Sequence, residues 1–274
     1  MMLSWQQAAV LSAGLGVVGG TLRVSRSPRV RAVAAFVTES CIVAVLFTIW
    51  QLAAKLSLVS TDDAIGRARW IERLERTLHL PNERTVQNLI LGHAKVVQAA
   101  NLYYAIMHFT IMFVFLLWLF LRYRDRYSAV RTTLAMATLS CLVIQFVPVA
   151  PPRLLGRYVD TALAYGQSVY SGNFADELSA MPSVHVMWAV LIGWYVWRIS
   201  PSRWRWIGPL HAVVTIFVVV ATGNHWWMDG IVGVLVLIVC AWLRVGVVAA
   251  WKRLTAGRSG AIPAPAEEPE PAAV

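Results

Sequence analysis

A chain of 274 residues that is 58% hydrophobic and 14% charged, with thirteen Trp, is too apolar for an ordinary soluble domain. Its formal net charge of +10 does not point to nucleic acid, because the basic residues are dealt out in separate clusters along the chain. A membrane protein remains, and a helical one: only helices or closed barrels satisfy the backbone in lipid, and the apolar runs here are too long for barrel strands.

A hydrocarbon core about 30 Å thick takes about 20 residues of helix. Runs that approach this fall at 3–22, 32–54 with Glu39 inside, 102–121, 132–151, 181–197, 206–222 and 230–250 with Arg244 inside. They predict an all-α polytopic bundle of six core transmembrane helices plus an N-terminal one. The organisation expected is an N-terminal hydrophobic helix and basic turn over 1–31, one membrane domain over 32–254, and a disordered tail over 255–274, rich in Ala, Pro and Glu. The first run is rich in Gly and carries Gln6 and Gln7. A signal-like or surface helix is the alternative to a span; the run lacks a basic leader, so it reads as an anchor rather than a cleaved signal.

Arg23, Arg26, Arg29 and Arg31 form one basic cluster; Arg122, Arg124, Arg126 and Arg131 a second; Arg198, Arg203 and Arg205 a third; Lys252, Arg253 and Arg258 the last. These lie on every second connection, which marks the cytoplasmic side. The alternate connections, 55–101, 149–183 and 223–229, are then extracytoplasmic, the tail is cytoplasmic, and the protein is a multi-pass one of the plasma membrane. Within 55–101, Ile65, Trp70, Leu74 and Leu78 recur at helical spacing among charges, predicting one or two amphipathic helices on the outer surface or a helical cap over the bundle. Cys41, Cys141 and Cys240 all fall in apolar runs and read as packing groups, with neither a disulfide nor a metal cluster expected.

Two histidine motifs stand at the outer ends of these runs. In "AMPSVHVMWAV", Pro182 opens a helix, Ser183 sits at its start and His185 lies in its first turn. In "GNHWWMDG", His225 precedes Asp229 by four residues, so on a helix the carboxylate reaches one ring nitrogen. The two spans between the motifs rise about 20 to 25 Å each. That out-and-back hairpin returns His225 to the face that His185 left.

Arg153 arrives at the same level just after the fourth run, in "VAPPRLLGRYVDT". An aspartate that fixes the tautomer of one histidine leaves its other nitrogen free as a nucleophile. The second histidine then serves as general acid and base, a task that its pKa near 6.5 suits. A transferring phosphoryl group wants fixed cations and amide donors; Arg153, Arg157 and the amides at the two helix starts supply these, with Ser183 beside them and Asp160 as a contact for an alcohol acceptor. His185, His225 and Asp229 also form a conceivable zinc set, against which no metal and no other cofactor is the expectation. Trp226 and Trp227 read as interfacial anchors, and His108 and His211 as packed bundle residues; Tyr104 and His108 share a helix face within reach of the site, with packing in the bundle as the default reading.

The ordered pair of motifs resembles the membrane branch of the type 2 phosphatidic acid phosphatase superfamily, in particular its inositolphosphotransferase-like group, which includes fungal inositol phosphorylceramide synthase. Pro182-Ser183-Val184-His185 is similar to the family's P-S-x-H box and His225 to Asp229 to its H-x-x-x-D box. "NLYYAIMHF" from 101, "FVPVAPPRLLGRYVDT" and "NFADELSAMPSVH" add to the likeness, which spans roughly 60–250.

The resemblance implies a phosphohistidine intermediate on His225, oriented by Asp229, with His185 handling the proton and no metal. The chain departs from the phosphatase pattern in that Phe146, Leu154 and Val219 stand where K-x6-R-P and S-R-x5-H-x3-D place a lysine, a proline and an arginine. That loss of two cations favours the transferase-like branch.

The expected substrate is thus a lipid phosphate or phosphodiester, taken from the bilayer, and neither nucleic acid nor any particular protein is indicated as a partner. Water as acceptor makes the enzyme a lipid phosphatase on phosphatidic acid or a polyprenyl phosphate. The reading from another class is a non-enzymatic lipid transporter or a haem-binding membrane protein that uses paired histidines.

Overall fold

The computed structural model describes residues 4–56, 61–167 and 178–259, and those residues form ten α-helices with no strand among them. Five helical stretches are long and apolar enough to cross a membrane: Pro28–Ile49, Ala94–Arg122, Arg124–Gln145, Arg203–Ala221 and Trp227–Ala250. Val184–Ile199 is a sixth apolar helix, shorter, at 16 residues. The chain is a multi-pass membrane protein.

Helix α1 (Trp5–Arg23) opens on a capping box, with Ser4 accepting the Gln7 amide and the Gln7 side chain accepting the Ser4 amide. It is not among the five, since Gln6, Gln7, Ser12 and its glycines dilute an otherwise apolar run. Helix α2 (Pro28–Leu56) turns back along it, and Cys41 Sγ donates to the Ser12 carbonyl between them. This hairpin touches the rest through the Glu39–Arg131 ion pair and the edge-on ring pairs Phe36–Phe120 and Phe47–Phe109. An apolar cavity of about 610 Å³ lies between it and the Ala94–Arg122 helix.

Helix α3 (Thr61–Thr77) and helix α4 (Glu83–Leu91) form a cap over the connections at 148–165 and 223–229. The face of α3 turned inward differs from the expected one: Ala64, Ala68 and Ile71 are buried and Glu75 is fully enclosed, while Trp70 and Leu78 are exposed. Small residues on that face let α3 lie close against Val149, Ala150, Leu155 and Trp226, and close approach outweighed the size of the apolar side chains opposite.

The long helices α5 (Ala94–Arg122) and α6 (Arg124–Gln145) meet at Tyr123 and lead to the loop after residue 146, which contains the short helix α7 (Thr161–Ala164). The hairpin of α8 (Val184–Ile199) and α9 (Ile207–Ala221) follows. Its arms close at Gly193 and Gly208, where a Cβ on either would lie 3.0 or 2.9 Å from the other's carbonyl oxygen. Small residues of this kind bring membrane helices together. At 1.5 Å per residue the arms rise about 24 and 22 Å, so the hairpin returns to its starting face.

Helix α10 (Trp227–Ser259) completes the bundle against α6 and α8. It runs past the boundary expected at 254; the rest of the expected tail, and residues 173–177 of the "NFADELSA" stretch, lie outside the described residues. The main core, built from Phe115, Leu119, Tyr127, Val130, Met187, Leu191 and Leu237 among others, lies in the membrane half between α5, α6, α8 and α10. All three cysteines are free thiols.

Candidate active site

Ser183 caps α8, its Oγ accepting the Val186 amide, which sets His185 in the first turn. The Ser183 amide donates to the Asp229 carbonyl at 2.9 Å, so the start of α8 is tied directly to the start of α10. Opposite, α9 ends at Thr222, and Gly223 reverses the chain at φ +72°, a conformation that costs a residue with a Cβ. The amides of Asn224 and His225 then return to the Val219 carbonyl. His225 lies just before α10 rather than on it, yet the pairing expected from its spacing is present: Nδ1 stands 3.3 Å from Asp229 Oδ2.

That nitrogen also stands 2.9 Å from the Ala180 carbonyl oxygen, which can only accept. Nδ1 therefore carries the proton, and the lone pair of His225 is on Nε2. Nε2 faces His185 Nδ1 at 3.4 Å. Asp229 is fully buried and uses Oδ2 twice, for His225 and for the Trp226 amide at 2.8 Å.

Two further residues, expected to pack in the bundle, meet His185 from α5. Tyr104 stacks on its ring, centroids 4.4 Å apart and planes 19° from parallel, and the His108 ring lies 4.1 Å away. His108 Nδ1 faces the Tyr104 carbonyl one turn back, at 3.1 Å. The signal was available in the spacing, since positions 104 and 108 share a helix face, but only the packing of α5 against α8 turns that face toward the site. His211, the other such residue, takes the expected place: Nδ1 bonds to the Tyr103 hydroxyl at 2.7 Å, in the bundle.

Arg153 is buried at 8% exposure and held on three sides. Its amide donates to the Gly223 carbonyl at 2.9 Å, Nε to Asn224 Oδ1 at 3.1 Å and a terminal nitrogen to Asp160 Oδ2 at 2.9 Å. Asp160 caps α7 with its other oxygen. The guanidinium thus sits one residue from His225, gripped by the same loop. Arg157 is placed elsewhere: it is exposed and pairs with Glu72 of α3 at 2.9 Å.

Several donors expected for a phosphate are engaged within the protein: the amides of Val186, Trp226 and Met228 go to Ser183 Oγ, Asp229 Oδ2 and Glu75 Oε1. Phe146 is half exposed and Val219 is packed among Val186 and Val220. Neither position brings a cation to the histidines. Trp226 is a core residue rather than an interfacial anchor; it is buried edge-on to Tyr158, and its indole N–H donates to the Ala150 carbonyl. Trp227 donates to Pro81 of the cap.

Beneath the cap, Tyr158 donates to Glu72 at 2.8 Å, and burial pushes its phenol upward from 10. Gln87 brackets Val159, donating to its carbonyl and accepting from its amide. Among the described residues no three His, Cys, Asp or Glu side chains are grouped as metal ligands.

Chemically, the arrangement offers one imidazole with a fixed lone pair, a second imidazole in contact with it and a buried guanidinium held on Asn224, the residue before His225. Comparison with known proteins returned no match among curated proteins or solved structures. A family model described as the PAP2 superfamily matches residues 69–243, which take in both histidine motifs, Arg153 and the cap from Arg69 onward; the chain belongs to the PAP2 superfamily, as a phosphatase-type membrane enzyme.

Proposed function

We propose that the enzyme transfers the phosphate-containing headgroup of a lipid by double displacement through His225, with an alcohol as acceptor. The observation that carries this reading is the state of the His225 ring: a carbonyl and a carboxylate both face Nδ1, so the lone pair on Nε2 points away from them, toward His185. In the first step Nε2 attacks phosphorus as the P–O bond to the lipid leaving group breaks, and the leaving oxygen takes a proton from the His185 imidazolium. The incoming phosphorus occupies the place where the two rings touch, so His185 moves aside to meet the leaving oxygen.

In the second step the acceptor hydroxyl gives its proton back to His185, its oxygen attacks phosphorus, and the P–N bond breaks with its electron pair returning to Nε2. Asp229 balances the positive charge that builds on His225. Arg153 offsets charge on the phosphoryl oxygens, and Ser183 and Asp160 hold the two loops that carry these groups. Transfer is favoured over hydrolysis by the apolar residues at 146 and 219, which leave the phosphate cradle with fewer cations than a phosphatase site. The basic clusters flank the helix ends opposite the histidines, which supports an extracytoplasmic site in the plasma membrane.

The test is to incubate purified protein with labelled lipid phosphates and phosphodiesters, with and without inositol and other alcohols. A phosphorylated alcohol as product is the expected result. Release of inorganic phosphate alone would make the enzyme a lipid phosphatase, and no turnover on any of these lipids would defeat the mechanism.

A further inference from the structure

Helix α3 encloses a carboxyl on the face where a surface helix ordinarily buries an apolar side chain. Glu75 is fully buried, and its Oε1 accepts the amide of Met228 at 2.8 Å. Met228 precedes Asp229 in the first turn of α10, so this bond is one peptide away from the carboxylate on His225. The Glu75 carboxyl also lies against that of Glu83 from α4, and both Glu75 Oε2 and Glu83 Oε1 are buried without a donor among the described residues.

The surrounding charges are Arg76 and Glu72 on α3 itself, Glu83 on α4, Tyr158 from the loop before α7 and Asp229 on α10. Arg76 stands 3.7 Å from Glu75 but 2.5 Å from Glu83, so its charge is directed to the latter. Two adjoining buried carboxyls with one cation between them are accommodated by keeping a proton on one.

We infer that Glu75 is a positioning residue: through its bond to the Met228 amide the extramembrane cap fixes the first turn of α10, and with it the Asp229 carboxylate on His225 Nδ1. The inference rests on the reading of His225 as the group that attacks phosphorus. A neutral carboxyl suits the role, since an ionised one would set a second negative charge beside Asp229. Burial first, and then the bond to Glu83, pushes the Glu75 carboxyl up to about 9 from its usual 4.5.

Because the folded value lies above the unfolded one for an acid, the folded state binds the extra proton between pH 4.5 and about 9, and stability falls as pH rises through that window. An uncharged residue at 75 removes this slope.

Two substitutions separate the hydrogen bond from mere filling of space. Glu75→Gln keeps an acceptor for Met228 and a donor for Glu83. It should hold kcat within about twofold of wild type, and it should melt higher than wild type at pH 8 by a margin that closes toward pH 4.5. Glu75→Met keeps the volume and discards the acceptor. It should fold, melt without the wild-type pH slope, and lose about 10- to 100-fold in kcat with KM little changed.

Amide exchange of residues 226–230 should quicken in Glu75→Met and not in Glu75→Gln. Exchange and melting need no substrate, so they judge the positioning role even if the wild type turns over no lipid phosphate, an outcome that would count against the mechanism at His225 instead. A Glu75→Met protein with wild-type kcat and wild-type exchange at 226–230, or a Glu75→Gln protein as impaired as Glu75→Met, overturns the inference.

Discussion

The cap layer and the N-terminal hairpin are built from opposite materials. In the cap layer, α3, α4 and the loops at 148–165 and 223–229 bury Glu72, Glu75, Glu83, Gln87, Arg153, Asn224, His225 and Asp229. Most of these meet a partner from a distant part of the chain: Gln87 brackets Val159, Glu72 accepts from Tyr158, Arg153 donates to Asn224, and Glu75 accepts the Met228 amide. The hairpin of α1 and α2 is apolar and largely exposed, with Val10, Val17 and Val33 on its surface and an apolar cavity behind it.

The difference teaches where geometry is specified. Contacts between apolar helices tolerate small slips, because lipid is as apolar as the neighbouring helix and dispersion is not directional. A network of buried polar groups tolerates few, since each displaced partner leaves an unsatisfied group.

The comparison breaks most sharply at the histidines. His225→Ala should lower turnover by at least about 10³-fold, and Asp229→Asn by a comparable amount, because an amide at 229 no longer holds the tautomer that leaves Nε2 free. Both proteins should still fold and insert. If either variant retains turnover within a few fold of wild type on a lipid that the wild type uses, His225 is not the attacking group.

A smaller effect, on the same layer, is expected from Gly223→Ala. Its φ of +72° places the substituted residue in the left-handed region, and the added Cβ meets Gln87 Nε2 at 3.0 Å. The backbone term alone is about 1 to 2 kcal/mol, read as a lower melting temperature. A larger loss of turnover than of stability is expected, because Gly223 carries the Arg153 amide on its carbonyl and leads into His225.

Much of this division was legible in the chain. The apolar runs locate the long helices, and the spacing of His185, His225 and Asp229, with the length of the intervening hairpin, puts the three groups on one face of the bundle. Three features escaped. The inward face of α3 was misjudged because Trp70 and Leu78 are the more apolar residues, whereas Ala64 and Ala68 are the ones that let the helix approach. Tyr104 and His108 lie on a helix whose rotation is set by packing against α8, which no periodicity in α5 records. Arg157 follows Arg153 by four residues, but the intervening backbone is a single 3-10 turn and a bend, so the two side chains leave in different directions, one to Asp160 and one to Glu72.

The smallest expected effect lies in the hairpin and tests whether the division is real. Glu39 pairs with Arg131 across the membrane half, and both side chains are only partly buried. Glu39→Gln keeps a hydrogen-bonding oxygen for the guanidinium while removing the charge, so the loss is the difference between an ionic and a neutral bond, about 1 kcal/mol. That is visible as a modest fall in melting temperature. Turnover should stay within about twofold of wild type, because the strain is delivered to α2 and α6 on the membrane side of the core, and neither the Ala180 carbonyl nor the Met228 amide depends on it. A Glu39→Gln protein that melts like wild type yet loses turnover would mean that the hairpin positions the histidines as the cap does, and the contrast between the two regions would fail.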